Sequence, residues 1–162
     1  MPIINGMDQG EFLGFKETVT QDSTKADRWP TVTAEWVGGS RSRIEFGEKT
    51  TFIGGDDELN PMQFVLAALA ACDVDLLAMH ATMIGLEVNS LRVEASGHFN
   101  VQSYIGVENT PGSGYDQIAY RVILDAPNAT AEQIAYLTER CEKSSPVGDT
   151  LARHVNMTLE FA

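Results

Sequence analysis

The sequence predicts an α+β protein in which mainly antiparallel sheets pack on one long, buried central helix. Three observations lead to this class. Two short alternating stretches flank a Gly-Gly pair, an apolar stretch follows an Asn-Pro pair, and two longer alternating stretches come later in the chain. Strands and helices that occur in separate groups, rather than in strict alternation, are typical of α+β domains.

Length and composition are those of one ordinary domain, residues 1–162. The chain is 43% hydrophobic, which is enough to form a buried core. Its formal net charge is -12, so it lacks the cationic face that nucleic acid or an anionic membrane surface requires. The N-terminus shows no signal peptide, and two cysteines do not make a disulfide framework. We therefore expect a cytoplasmic protein with no nucleic-acid or membrane partner.

The first part of the chain is predicted to contain a three-stranded unit. A weakly alternating start and a polar loop precede the stretches TVTAEWV and SRSRIEF, which Gly38 and Gly39 separate. A Gly-Gly pair between alternating stretches is a strong hairpin signal. Period-two alternation puts Arg41 and Arg43 on the same face of the second strand. The stretch TTFI is expected to add a third strand.

A long helix is predicted from Pro61 to about Ile84. Asn60 is a favourable N-cap, proline is favoured at the first helical position, and Gly85 supplies the end. The helix is apolar nearly all round, which predicts burial on more than one side. A central position in the domain, or cover from a partner subunit, would provide that burial.

The last part of the chain is predicted to hold two strands, two helices and a final strand. The strands SLRVEASGHFNV and YDQIAYRVILDA are joined by an exposed loop, GVENTPGSG. Thr130 and Gln133 form a capping box at a helix start, with Ile134, Leu137 and Cys141 on the inner side of that helix. Pro146 is expected to end this helix and begin a short one. The alternating sequence VNMTLEFA predicts a C-terminal strand.

Cys72 is the candidate reactive residue because it lies within the long apolar helix. The thiolate is the nucleophilic form of cysteine, yet Asp75 on the same helical face would disfavour a second negative charge. A reactive Cys72 therefore needs a cation from elsewhere, and Arg41 and Arg43 are the candidates. The alternative is that Cys72 is an inert core residue, since free cysteines are often buried.

Other catalytic patterns are weak or absent. His80 follows Cys72 by eight residues, which separates them by about 12 Å along a helix, so a Cys-His hydrolase or transferase site is the weakest hypothesis. The sequence contains no CxxC, HExxH or clustered His/Cys pattern. No metal site is therefore predicted.

The stretch NPMQFVLAALAAC, followed some seventy residues later by SPVGDTL, resembles the OsmC/Ohr family of osmotically induced and organic hydroperoxide resistance proteins. The order of elements along nearly the whole chain is also similar. The resemblance implies an intertwined homodimer with the central helices buried between subunits and active sites at the interface. It further implies reduction of organic hydroperoxides, with Cys72 as the peroxidatic cysteine and Arg41 or Arg43 stabilising its thiolate.

The resemblance also implies a resolving cysteine and a dithiol reductant. A sulfenic acid on Cys72 would condense with a second cysteine, and a lipoyl-type dithiol would reduce the disulfide, with no bound cofactor. The residue that precedes Pro-Val in this sequence is Ser145 rather than cysteine. Cys141, one helical turn or about 6 Å earlier, is the candidate resolver, and an external thiol is the alternative.

A second departure concerns the carboxylate that holds the arginine in the family. The family's glutamate just after Asn-Pro is replaced here by Met62 and Gln63. The carboxylates of Asp56, Asp57 and Glu58 remain as candidates for the same contact.

Two functions are compatible with these residues. In a thiol-dependent peroxidase, apolar side chains around Cys72 would bind the organic peroxide, and the candidates are Met62, Phe64, Leu69 and Leu76. The alternative is a non-catalytic protein of the same fold that binds a small apolar ligand at the dimer cleft. Loss of the glutamate and of the resolving cysteine favours this alternative.

Overall fold

Four α-helices and three small antiparallel sheets make up the computed structural model, which describes residues 2–161. The elements are β1 (Ile3–Ile4), β2 (Met7–Asp8), α1 (Gln9–Gln21), a 3-10 helix (Ser23–Ala26), β3 (Thr33–Trp36), β4 (Arg41–Phe46), β5 (Lys49–Gly54), α2 (Pro61–Met83), β6 (Ser90–Phe99), β7 (Tyr115–Asp125), α3 (Ala131–Ser144) and α4 (Pro146–Ala152). Every strand pairing is antiparallel. The predicted α+β class is confirmed.

The sheet β3-β4-β5 forms as predicted. Gly38 and Gly39 both have positive φ, 111° and 56°, which explains why glycines occupy the turn between β3 and β4. Arg41 lies opposite Gly54 and Arg43 opposite Phe52 in the pairing of β4 with β5. All residues of β3 are exposed, so this sheet leaves an uncovered surface in the single chain.

The long helix α2 begins at Pro61 and ends at Met83, with Ile84 as its C-cap. A capping box forms the start: the Asn60 side chain accepts from the Gln63 N–H, and the Gln63 side chain accepts from the Asn60 N–H, both at 2.9 Å. Gln63, which stands near the family's glutamate position, is therefore engaged in capping.

One side of α2 is buried in the single chain, whereas the sequence predicted more than one. The buried residues follow helical spacing and face β6 and α3; they are Leu69, Asp73, Leu76, Leu77, Ala81 and Thr82. By length and composition alone, α2 is also apolar enough to cross a membrane, with a mean hydropathy of 1.7. Most of its other residues are half-buried, and the exposed ones are Pro61, Gln63, Ala68, Ala71 and Asp75.

The core lies where α2, α3 and the β6-β7 hairpin meet. Leu77, Ala81 and Leu86 pack there against Leu137 and Cys141. The capping box of Thr130 and Gln133 fixes the start of α3, as predicted. This arrangement turns the inner side of α3 toward α2 and carries the α3–α4 junction to the middle of α2.

The helix α1 is a feature that the sequence analysis missed. Phe12, Phe15 and Val19 are three and four residues apart, which is helical spacing, but the polar residues between them masked the pattern. The predicted polar loop is also shorter than expected, since Thr20 and Gln21 belong to α1 and a 3-10 helix follows.

The predicted C-terminal strand is wrong for the single chain. Within residues 2–161, the segment after α4 pairs with no other strand. Its alternating apolar residues point into solvent: Met157 is 90% exposed, Leu159 87% and Phe161 98%. Alternation marks a segment that is able to pair, but a strand also needs a neighbouring edge for its backbone hydrogen bonds.

Candidate active site around Cys72

Cys72 lies near the middle of α2, where its side chain is half-buried rather than deep in the core. The Ser145 hydroxyl approaches it, with 3.8 Å between Ser145 Oγ and Cys72 Sγ. Ser145 separates α3 from α4, so the α3–α4 junction is the part of the chain that meets the thiol. The two sequence stretches that resemble the family are thereby brought into contact.

Ser145 is held tightly at this junction. Its side chain is 3% exposed, and its Oγ accepts a hydrogen bond from the Gly148 N–H at 3.1 Å as the N-cap of α4. A Cβ at position 148 would lie only 2.9 Å from Ser145 Oγ, which is too close for a side chain. Glycine at this position therefore allows the backbone of α4 to approach the Ser145 hydroxyl. The position of the hydroxyl is therefore fixed by backbone geometry.

The buried carboxylate of α2 is Asp73, which lies near Cys141, whereas Asp75, the carboxylate that the sequence analysis considered, faces away from the core. Asp75 is exposed, whereas Asp73 is 0% exposed, and neither of its oxygens has a hydrogen-bond partner among the described residues. Asp73 lies four residues after Leu69 and four before Leu77, in phase with the buried side of α2. That spacing was the available signal, since residues four apart share a helical face.

Cys141 is buried beside Asp73 and is 7% exposed. Burial, followed by the negative charge of Asp73, raises the pKa of Cys141 to about 11. Burial and the charges of Cys141 and Asp73 also raise the pKa of Tyr120. Cys141 is consequently a neutral thiol near pH 7 and a weak nucleophile.

Arg41 and Arg43 both form ion pairs with glutamates. Arg41 pairs with Glu58 and its guanidinium lies 4.1 Å from the centre of the Phe52 ring. Arg43 pairs with Glu35 and Glu45. Among residues 2–161, neither guanidinium hydrogen-bonds Cys72 Sγ. Glu58 is thus the one of the three candidate carboxylates that holds an arginine.

The predicted substrate-binding residues differ in exposure. Leu69 and Leu76 are buried, while Met62 and Phe64 are half-buried on the first turn of α2. Leu69 lines a cavity of about 410 Å³ between β7 and α4, and a second cavity of about 510 Å³ separates β7 from α3. The two cavities share Tyr120 and Cys141 in their linings.

His80 takes no part in a Cys-His pair. Its Nδ1 lies 2.7 Å from the Tyr136 hydroxyl. Burial and then the positive charges of Arg140 and Lys16 lower the pKa of His80. Among the residues that the structure describes, no group of three or more His, Cys, Asp or Glu side chains could hold a metal ion.

Comparison with known proteins gives a family and a fold. The sequence model of the family described as OsmC-like protein matches residues 54–160, which is more than half of the chain. An OsmC like protein from Mycoplasma pneumoniae superposes with a TM-score of 0.65 at 18% identity, over 78% of this chain and 89% of that chain. No curated protein matches the sequence significantly.

Two further solved structures are similar in fold. A hypothetical protein from Aquifex aeolicus superposes with a TM-score of 0.62 at 12% identity, over 78% of this chain and 89% of that chain. An organic hydroperoxide resistance protein from Legionella pneumophila gives 0.52 at 14% identity, over 76% and 89% respectively. At these identities the likeness shows the fold.

Proposed function

The chain belongs to the OsmC-like protein family, and on that premise we propose that it reduces organic hydroperoxides with Cys72 as the peroxidatic cysteine. The observation that carries the proposal is the contact between Cys72 Sγ and the α3–α4 junction, at the half-buried middle of α2. The fold is shared with a Legionella pneumophila protein named for organic hydroperoxide resistance.

The chemistry begins at the Cys72 thiolate. The sulfur attacks one oxygen of the peroxide, an S–O bond forms, the O–O bond breaks, and the alcohol leaves after taking up a proton. Cys72 is then a sulfenic acid. An external thiol condenses with it, water leaves, and a second thiol releases Cys72 from the mixed disulfide.

We assign the resolving step to an external dithiol, of the lipoyl type, rather than to Cys141. Cys141 is buried and its pKa is raised to about 11, so it contributes little thiolate near neutral pH. A reducing compartment such as the cytoplasm would supply the thiols. No bound cofactor is required for these steps.

We further propose that the active form is a homodimer with its sites at the interface. The exposed strand β3 and the exposed apolar tail after α4 support this assembly. A partner subunit would also be able to supply a cation to Cys72, whose sulfur receives no hydrogen bond from a guanidinium within residues 2–161. Arg41, already oriented by Glu58 and Phe52, is the candidate.

A second candidate function is binding of a small apolar ligand without catalysis. The cavity between β7 and α3 favours it, because Leu77, Val122 and Leu137 line that cavity with apolar surface. A ligand there would contact Cys141, not Cys72.

The test is consumption of cumene hydroperoxide with dihydrolipoamide as reductant. We expect turnover in the wild type and in Cys141→Ser, and none in Cys72→Ser. Loss in both variants would make Cys141 the resolver. Absence of turnover in the wild type would overturn the peroxidase proposal and leave apolar ligand binding as the function.

A further inference from the structure

We propose that Ser145 holds the sulfur of Cys72 in its reactive state by donating a hydrogen bond to it. The acceptor is the thiolate before the peroxide reacts and the sulfenic acid afterwards. This inference rests on the proposed function, because it assigns a residue to the chemistry of Cys72. The stretch SPVGDTL drew attention to Ser145 in the sequence. The contact between Ser145 and Cys72 is an observation of this structure.

The hydrogen bonds of Ser145 leave its own proton available for Cys72. A hydroxyl has one donor and two acceptor sites. One acceptor site takes the Gly148 N–H, and the donor is directed to Cys72 Sγ at 3.8 Å. Because Ser145 is 3% exposed, bulk water has little access to its hydroxyl and cannot easily replace Cys72 Sγ as the acceptor of its proton.

The direction of the bond favours the charged sulfur. A neutral thiol is a weak acceptor, whereas hydrogen bonds to ionised acceptors are roughly twice as strong as neutral ones. Within residues 2–161, Arg41 and Arg43 are paired with glutamates and neither hydrogen-bonds Cys72. Ser145 is thus the donor that the chain itself brings to the sulfur.

The same contact determines the fate of Cys72 once it is oxidised. The sulfenic oxygen of Cys72 would be a further acceptor for the Ser145 hydroxyl, which lies 3.8 Å from the sulfur. A hydroxyl cannot displace the sulfenic hydroxyl to form a disulfide. The oxidised sulfur therefore stays hydrogen-bonded to Ser145 until an external thiol attacks it.

The first test measures the rate at which iodoacetamide alkylates Cys72 at pH 7, by mass spectrometry of the peptide. Ser145→Ala removes both the donor and the α4 cap, Ser145→Gly removes the donor but is tolerated at an N-cap, and Ser145→Thr keeps both functions. Ser144→Ala is the matched control, since Ser144 makes no hydrogen bond through its side chain in the described residues.

We expect alkylation to slow about tenfold in Ser145→Ala and Ser145→Gly, the order of magnitude of one hydrogen bond to a charged acceptor. Ser145→Thr and Ser144→Ala should react like the wild type. Wild-type reactivity in Ser145→Gly would show that the hydroxyl donor is not needed and would overturn the proposal. Alkylation needs no peroxide, so this result is independent of whether the protein is a peroxidase.

A second measurement tests the contact after oxidation. In the wild type treated with one equivalent of cumene hydroperoxide, we expect dimedone to trap Cys72 as the sulfenic acid. In Ser145→Cys, the new thiol would lie in contact with Cys72, and an intramolecular disulfide should replace the trapped species. If Ser145→Cys forms no such disulfide, residue 145 does not contact Cys72 in solution and the proposal fails.

Discussion

Cys72 and Asp73 are neighbours in the sequence, yet α2 directs their side chains to different surroundings. One residue along a helix turns the side chain by about 100°. Cys72 is half-buried against Ser145, while Asp73 is fully buried beside Cys141. The two cysteines consequently differ in chemistry. The neighbour of Cys72 is a hydrogen-bond donor, Ser145, whereas the neighbour of Cys141 is a buried carboxylate, Asp73.

At the residue scale, Cys141 predicts a pH-dependent loss of stability. Its pKa is raised in the folded protein from 9.0 to about 11, so the unfolded chain releases this proton first as the pH rises. The contribution to the free energy of unfolding is therefore complete below about pH 9 and lost toward pH 11. We expect a loss of about 2 kcal/mol, measured by urea denaturation across this range.

The control for this prediction is Cys141→Ala, which lacks the thiol. Its free energy of unfolding should vary less between pH 9 and pH 11 than that of the wild type. Equal slopes in the two proteins would show that Cys141 is not the group responsible. Asp73→Asn should give an intermediate slope, since it removes the charge but leaves the thiol buried.

At the element scale, the N-terminal hairpin β1-β2 fastens the end of α2. Asn5 donates to the Thr82 hydroxyl and to the Leu86 carbonyl, at 3.2 and 3.0 Å, and accepts from the Val88 N–H at 2.9 Å. Its φ is 53°, a left-handed value that asparagine tolerates better than most residues. One side chain thus connects the hairpin, the helix end and the segment that leads to β6.

Replacing this residue should loosen the end of α2. We expect Asn5→Ala to lower the free energy of unfolding by roughly 3 kcal/mol, because three hydrogen bonds are lost and alanine is strained at positive φ. Asn5→Gly loses the same hydrogen bonds without the strain and should cost less. Urea unfolding compares the three proteins. A variant Asn5→Ala as stable as the wild type would show that the hairpin is not needed to fix α2.

At the scale of the whole molecule, the proposed dimer would cover a segment that is exposed in the single chain. The tail after α4 alternates, with Met157, Leu159 and Phe161 on one side and Thr158 and Glu160 on the other. Its apolar side is almost fully exposed in the single chain. An intertwined dimer would give this segment a strand edge to pair with and an apolar surface to cover.

The tail therefore supplies a test of the proposed dimer. We expect Leu159→Glu to weaken dimerisation at least about tenfold, since it places a charge on the side that would be buried. Thr158→Glu, on the opposite side of the segment, should leave the dimer intact. Analytical ultracentrifugation over a concentration series measures both. A monomeric wild type would refute the dimer, and a stable Leu159→Glu dimer would place the tail outside the interface.

Features that depend on neighbouring residues could be predicted from the sequence, because their causes are local. The Gly38-Gly39 turn, the Asn60 N-cap of α2, the capping box of α3 and the break at Pro146 all form where they were expected. α1 was missed although its cause is also local, since polar residues diluted its helical pattern.

The sequence by itself thus determined the fold class, most element boundaries and Cys72 as the candidate nucleophile. Only the tertiary structure decided which groups surround that thiol. Cys72 and Ser145 are 73 positions apart, and their contact exists because α3 and α4 fold back onto α2. The burial of Asp73 and the exposure of the tail have the same origin. Helices and turns arise from neighbouring residues, whereas contacts and burial depend on which distant segments meet.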